Sequence, residues 1–255
     1  MTATRLLFFA AGLGLPLYAL DPCSTAALAG PYGLHLAGTS TISGSAVPFA
    51  SLSRIAFDGA GGISGSSSVN FNGLLLGNPV TGTYEVKPDC TISWSLQDDS
   101  GAFQHFAGKL VPGVGRLAFH QTDPGTGGRG MIERTSDSCR PTDLRPSYTL
   151  TLSGTATPLA SGDVPSAISA EGAVSITGSA GFTLTQKLQG REITADGTWS
   201  VDSDCIAHFE FALPVGAAKA TVPMKLRGIV VNQGRQILAI HTDPAIVASA
   251  RFTAN

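Results

Sequence analysis

The side chains of this 255-residue sequence best suited to acid–base or metal chemistry are its histidines, His105, His120, His208 and His241, with His35 standing apart. His120 lies three residues before Asp123, and His241 lies two before Asp243. A histidine held by a carboxylate can act as a general base. The two spacings differ by one residue, however, and on a continuous strand that turns the imidazoles to opposite faces. A shared, duplicated catalytic pair is therefore not expected, and the plainer reading is a turn aspartate bonding its own loop beside a surface histidine. His208 and Glu210 share one strand face and read as a solvated outer surface. Asp98-Asp99 reads as a turn before Ser100-Gly101, and Asp202 with Asp204 would suit calcium only weakly, since the matching positions are Lys87 and Asp89. No metal site or cofactor is expected. Glu133-Arg134 could set charge at the mouth of a barrel. Arg251 matches Arg134, with Ala250 in place of Glu133, and a retained arginine there could bind a carboxylate or tie down loop carbonyls.

Aromatic positions say more. Tyr84 aligns with Trp199, and Trp94 with Phe209, each on the apolar face of a strand. Such residues either fill a barrel core or line an apolar ligand cavity. Signatures of several enzyme classes are missing: no Gly-x-Ser-x-Gly, no His-Glu-x-x-His, and no phosphate loop ending in Gly-Lys-Ser/Thr. The sixteen lysines and arginines form no basic run, which disfavours nucleic acid as a partner.

An internal repeat must position these residues. Gly82-Thr83-Tyr84-Glu85-Val86 through Asp89-Cys90 recurs as Gly197-Thr198-Trp199-Ser200-Val201 through Asp204-Cys205. Tyr32-Gly33-Leu34-His35-Leu36 recurs as Tyr148-Thr149-Leu150-Thr151-Leu152, and Thr122-Asp123-Pro124 as Thr242-Asp243-Pro244. Blocks repeated in one order mean duplication. The expected units are 20–140 and 141–255, with a proline-bounded linker at 140–146. The cysteines follow the repeat: Cys23 and Cys139 lead the copies, and Cys90 and Cys205 close the matched blocks. Equivalent pairing inside each copy gives Cys23–Cys90 and Cys139–Cys205; a crossed pairing, Cys23–Cys139 with Cys90–Cys205, is also symmetric. The absence of Cys-x-x-Cys argues against zinc and thioredoxin chemistry.

Only 13% of residues are charged, while 31 are Gly. The composition excludes coiled coils, helical bundles and collagen. Apolar residues alternate at Tyr32, Leu34 and Leu36, at Ile92, Trp94 and Leu96, and in phase at Ala207, Phe209 and Phe211. Strands are expected at 31–37, 47–50, 52–58, 62–70, 80–87, 91–97, 103–110 and 115–121, with 129–134 as a closing strand, and a short helix is possible at 23–29. The fold class is all-β: two tandem antiparallel barrels of about eight strands, with sandwiches as the alternative. Residues 1–19 read as a signal peptide, with Arg5 before an apolar stretch at 6–17 and Ala19 at the cleavage point. No later stretch is apolar enough to span a membrane as a helix, so a secreted or periplasmic protein is expected.

Three motifs then carry a resemblance: Phe57-Asp58-Gly59 with Gly61, Gly82-Thr83-Tyr84 through Asp89-Cys90, and Thr122-Asp123-Pro124-Gly125. Together they are similar to a group of uncharacterised secreted bacterial proteins resembling allene-oxide-cyclase-like, lipocalin-type β-barrels. The likeness covers both copies. In the second, Phe-Asp-Gly is lost and Ala245 replaces Gly125. These are turn and packing residues, so no catalytic residue carries over. The resemblance implies either a non-catalytic barrel that binds a small apolar ligand or serves as an interaction module, or a cyclase or isomerase acting on an apolar substrate. Candidate pocket residues are Tyr84, Trp94, Trp199, Phe209, Arg134 and Arg251. Oligomeric state is not legible.

Overall fold

The computed structural model describes residues 22–111, 115–156, 166–188, 191–215, 220–244 and 246–255. The expected signal peptide, 1–19, lies outside them.

Alternating patterns become two closed antiparallel barrels in tandem. The first contains β1 (Gly30–Ile42), β2 (Ser45–Phe57), β3 (Gly62–Phe71), β4 (Leu74–Val86), β5 (Thr91–Asp98), β6 (Phe103–Lys109), β7 (Arg116–Gln121) and β8 (Arg129–Arg134). The second repeats the plan with β9 (Ser147–Ala156), β10 (Ser166–Thr177), β11 (Gly181–Leu188), β12 (Arg191–Val201), β13 (Ile206–Val215), β14 (Ala220–Val231), β15 (Gln236–His241) and β16 (Ile246–Ala254). Each strand pairs with the next, and the last pairs back to the first, β8 on β1 and β16 on β9. Closure removes the edges that would invite aggregation in a chain with so few charges.

The expected strands at 47–50 and 52–58 are one strand, β2, which runs through Ser51 without a break. Ser51 and Ser53 face inward, opposite Leu36 and Leu34, and both are buried. Ser53 donates to Ser67 Oγ at 2.9 Å inside the barrel. A polar residue on the inner face thus mimicked a strand end in the pattern. With β2 continuous, the strand at 129–134 is the eighth and is required for closure.

The repeated Gly-Thr-Tyr and Gly-Thr-Trp blocks have a packing cause. A Cβ at Gly82 would run into the Ser95 carbonyl, and one at Gly197 into the Phe182 ring. The blocks end in turns whose cysteines adopt positive φ, 66° at Cys90 and 63° at Cys205. Both cysteines are bonded to the lead-in of their own copy, as Cys23–Cys90 and Cys139–Cys205. Ahead of β1 the lead-in makes a 3-10 turn, Thr25–Leu28, that buries Leu28 and accepts a hydrogen bond from Tyr84 Oη at Thr25 O, 3.0 Å. Ahead of β9, Leu144 packs on the second core, and Tyr148 Oη donates to Gly234 O at 2.7 Å. Each barrel is therefore plugged at the end where its first strand begins.

The barrels lie side by side. Ala50 and Leu52 from the outer face of β2 pack against Ile229, Val231, Leu238 and Ile240 of β14 and β15. Gly33 on β1 permits this approach, since a Cβ there would sit 2.7 Å from Val231 Cγ1. Thr135 Oγ1 donates to Val230 O at 2.6 Å between the plugged ends. At the other ends, buried Asn70 donates from Nδ2 to His241 O at 2.9 Å and to Ile246 O at 2.8 Å. Both plugged ends thus face one way and both open ends the other.

Candidate site at the open end of the second barrel

The plugged half of each barrel is filled with rings. In the first, Phe57 meets Tyr84 at 4.7 Å between centroids, and Trp94 packs on Phe106 at 5.2 Å and on Phe119 at 4.9 Å. In the second, Phe209 stacks on Phe252 at 4.5 Å and meets Phe182 edge-on at 5.8 Å. Tyr84, Trp94, Trp199 and Phe209 all lie in these buried clusters. Trp199 Nε1 donates to Gly181 O at 3.0 Å, whereas Trp94 Nε1 is sealed from solvent without a partner.

Toward the open ends the copies diverge. The first barrel keeps a cavity of about 190 Å³, bordered by Ser67, Asn78, Asp98 and Gln104 among apolar neighbours. The second opens into about 760 Å³, lined by Leu152, Ile168, Ala170, Leu213, Met224 and Ile246. That volume lies in the ordinary range for a small-molecule site. The strand registers explain the difference. Ser51 faces Leu36 where Ala170 faces Leu152. Counted from the matched pairs Tyr84–Trp94 and Trp199–Phe209, Asp98 on β5 corresponds to Leu213 on β13. Counted from Trp94–Phe106 and Phe209–Leu226, Gln104 corresponds to Met224. Asn78, opposite Ser67, corresponds to Ile193, opposite Gln186. Four polar, inward-facing positions of the first barrel are thus apolar in the second; of these, Asp98 and Gln104 border the first cavity, and Leu213 and Met224 the second. Gln186, 7% exposed, lies on the cavity wall, and the exposed Thr151 and Ser169 border the cavity as well. Glu171 and Lys187 also border the cavity, from outward-facing positions of their strands.

The first barrel also presents an apolar rim on this side of the molecule. Leu74, Leu75 and Leu76 follow the Asn72-Gly73 turn at its open end and are 62%, 40% and 46% exposed.

The remaining candidates fall elsewhere. Arg134 stands opposite Tyr32, donates to Ala29 O at 3.1 Å and to Tyr32 Oη at 2.7 Å, and so ties the lead-in to the plugged end. Arg251 is not its structural counterpart. Ala254 lies opposite Tyr148, the match of Tyr32, so Arg251 falls three residues earlier, on the outer face opposite Thr151. From there its Nη2 reaches Glu133 Oε1 of the first barrel at 4.0 Å.

Asp123 pairs with His105, Nδ1 to Oδ1 at 2.7 Å, while His120 is exposed on the outer face. Ser95 lies opposite His105 but is turned to Thr83, Oγ to Oγ1 at 3.3 Å. His105 N also donates to Asp123 Oδ2 at 2.9 Å, so the carboxylate holds both the backbone and the ring of this histidine. His241 corrects the expectation of a surface histidine. Its register partner, Leu226, belongs to the second core, and its ring is fully buried with neither nitrogen hydrogen-bonded. Burial pushes its pKa down, against the pull of Asp243. His208 and Glu210 are exposed. Asp202 Oδ1 accepts from Asp204 N and Ile206 N, both at 2.9 Å, and so shapes the turn before Cys205. Among the described residues no cluster of three or more His, Cys, Asp or Glu could hold a metal ion.

The cavity-lining residues Ala170, Leu213, Met224 and Ile246 escaped the sequence reading. Local alignment weakens around them, and only the strand registers show which first-barrel residues they replace.

No family model matches the chain, and no curated protein matches it. Among solved structures, a porin-like protein from Bacteroides uniformis is 12% identical to it over 88% of this chain and 97% of that one, with a TM-score of 0.19. A superposition that loose carries no argument about this protein. No helix among the described residues is long and apolar enough to cross a membrane. The two disulfides fit an extracytoplasmic protein.

Proposed function

We propose that this is a secreted or periplasmic, non-catalytic tandem barrel that holds a small apolar ligand in the open end of its second barrel, residues 141–255. The first unit, 20–140, with its smaller cavity, is the partner against which the second is braced, and residues 1–19 direct export and are removed. The reading keeps the family resemblance to allene-oxide-cyclase-like, lipocalin-type barrels, in its ligand-holding form. It rests on one observation: the cavity at the open end is four times larger in the second copy, about 760 against about 190 Å³, with Leu213 and Met224 on its wall where the first copy has Asp98 and Gln104. Burial of an apolar ligand gains about 25 cal/mol per Å² removed from water, enough for useful affinity without a charged partner.

A dansylated medium-chain fatty acid tests this. It should bind the full chain at one saturable site with a blue-shifted emission. Ala170→Trp, which fills the cavity, should weaken binding at least tenfold, about 1.4 kcal/mol. Met224→Gln, which restores the first-barrel residue, should weaken it less. Absence of saturable binding to the wild type, or equal binding by Ala170→Trp, would leave the protein as a structural module. Native mass spectrometry of protein purified from its own host should show a co-purifying apolar mass.

A further inference from the structure

A third cavity, about 560 Å³, lies between the barrels near their plugged ends. Arg116, Glu133, Arg134, Ser136, Asn232 and Gln233 border it, so both copies contribute. Its chemistry is opposite to that of the apolar mouth.

Five arginines converge on it, although the chain as a whole is slightly acidic. Arg116 and Arg134 line it directly. Arg54 donates to Ser136 O at 3.3 Å and to Asp137 O at 3.0 Å. Arg145 donates to Gln233 O at 3.1 Å. Arg251 approaches Glu133. Arg54, Arg134 and Arg145 hold neutral carbonyl oxygens, and Arg116 and Arg251 share the single carboxylate of Glu133, so the arginines outnumber the acid that faces them. Arg134 spends three N–H bonds on Ala29 O and Tyr32 Oη, and a guanidinium has five.

The nearby acids are already engaged or turned outward. Glu133 is 2% exposed, and the Gln236 amide donates to Oε1 at 2.8 Å and also to Oε2. Burial raises the Glu133 pKa, while Arg251 and Arg116 hold it down. Asp143 accepts from Arg140 N at 2.8 Å, and Asp137 is exposed.

The wall from the second barrel is a forced turn. Asn232, Gln233 and Gly234 have φ of 50°, 56° and 76° in succession. A Cβ at Gly234 would strike the Asp143 carbonyl, and Tyr148 Oη bonds Gly234 O. Consecutive left-handed residues are costly and persist where surrounding structure imposes them. Here they bring Asn232 and Gln233 to the wall of the arginine-lined cavity.

The geometry points to this inter-barrel cleft as a binding site for a small oxyanion, a phosphate or carboxylate group, held by Arg116 and Arg134 of one barrel and by Asn232 and Gln233 of the other. Forked guanidinium donors suit planar carboxylates and phosphates. A ligand bridging the two walls would also clamp the barrels together.

Calorimetric titration of the full chain at low salt, with inorganic phosphate and with citrate as separate probes, tests the site. At least one should bind saturably and raise the melting temperature, and which one binds distinguishes a phosphate from a carboxylate ligand. Arg116→Ala should weaken that binding by about tenfold or more. Asn232→Asp, which adds a like charge at a position where aspartate tolerates positive φ, should weaken it as much. Arg129→Ala, an exposed arginine outside the cleft, should bind as the wild type does. Binding of neither probe, or wild-type binding by folded Arg116→Ala, overturns the site.

Discussion

At the residue scale, the two copies show how one position changes role when its surroundings change. The one-residue difference in the spacing of His120 and His241 from the repeated aspartate placed them on opposite strand faces, and one is in solvent while the other is sealed in the second core. His35 is the clearest titration probe. It faces the second barrel, its Nε2 is sealed without a partner, and burial, helped by Arg251, pushes its pKa down to about 4. The folded state therefore resists protonation, while the unfolded chain takes up the proton near the ordinary histidine value. Stability from this residue is complete above that ordinary value and is lost as pH falls toward about 4. Between about pH 7 and about pH 4.5 the wild type should lose about 2 kcal/mol more than His35→Gln in urea titrations. Parallel pH profiles for the two proteins would remove His35 as a source of acid lability.

At the element scale, alternation and turn chemistry were legible in the chain. The Asn72-Gly73 pair forms the β3–β4 hairpin with φ of 50° and 85°, as that dipeptide favours. The unity of β2 was not legible, since Ser51 and Ser53 broke the apolar run from inside the barrel. The cysteine pairing was legible as one of two symmetric options, and the structure has the local one. Each bridge fastens a lead-in that would otherwise have only Leu28 or Leu144 and a few hydrogen bonds to hold it. With a sequence separation of 67 between Cys23 and Cys90, removing both by Cys23→Ser/Cys90→Ser should cost about 4 kcal/mol on the loop-entropy account. A urea midpoint that does not move would show that the lead-in is held without the bridge.

At the scale of the whole molecule, burial on the outer faces of β1, β2, β14 and β15 follows from barrel pairing. Leu52 and Ile240 lie on outer faces of their strands, yet they are buried. They are the seam between two closed barrels. Leu52→Asp should place an unpaired charge in that seam, at a cost of several kcal/mol. Scanning calorimetry should then resolve two transitions, with each barrel retaining its strand signal by circular dichroism. A single transition at the wild-type temperature would mean that the seam contributes little.

The sequence alone determined the duplication, the all-β class, the alternating inner faces and the symmetry of the cysteines, because those properties repeat over a few residues or between matched blocks. Tertiary structure decided which residues meet: the apolar mouth at Met224 and Leu213, the outward place of Arg251, and the arginine-rich cleft beside Glu133. These depend on strand register and on how one barrel leans on the other. A one-residue change in register turns a side chain to the opposite face, and no local pattern records which outer face will find a partner.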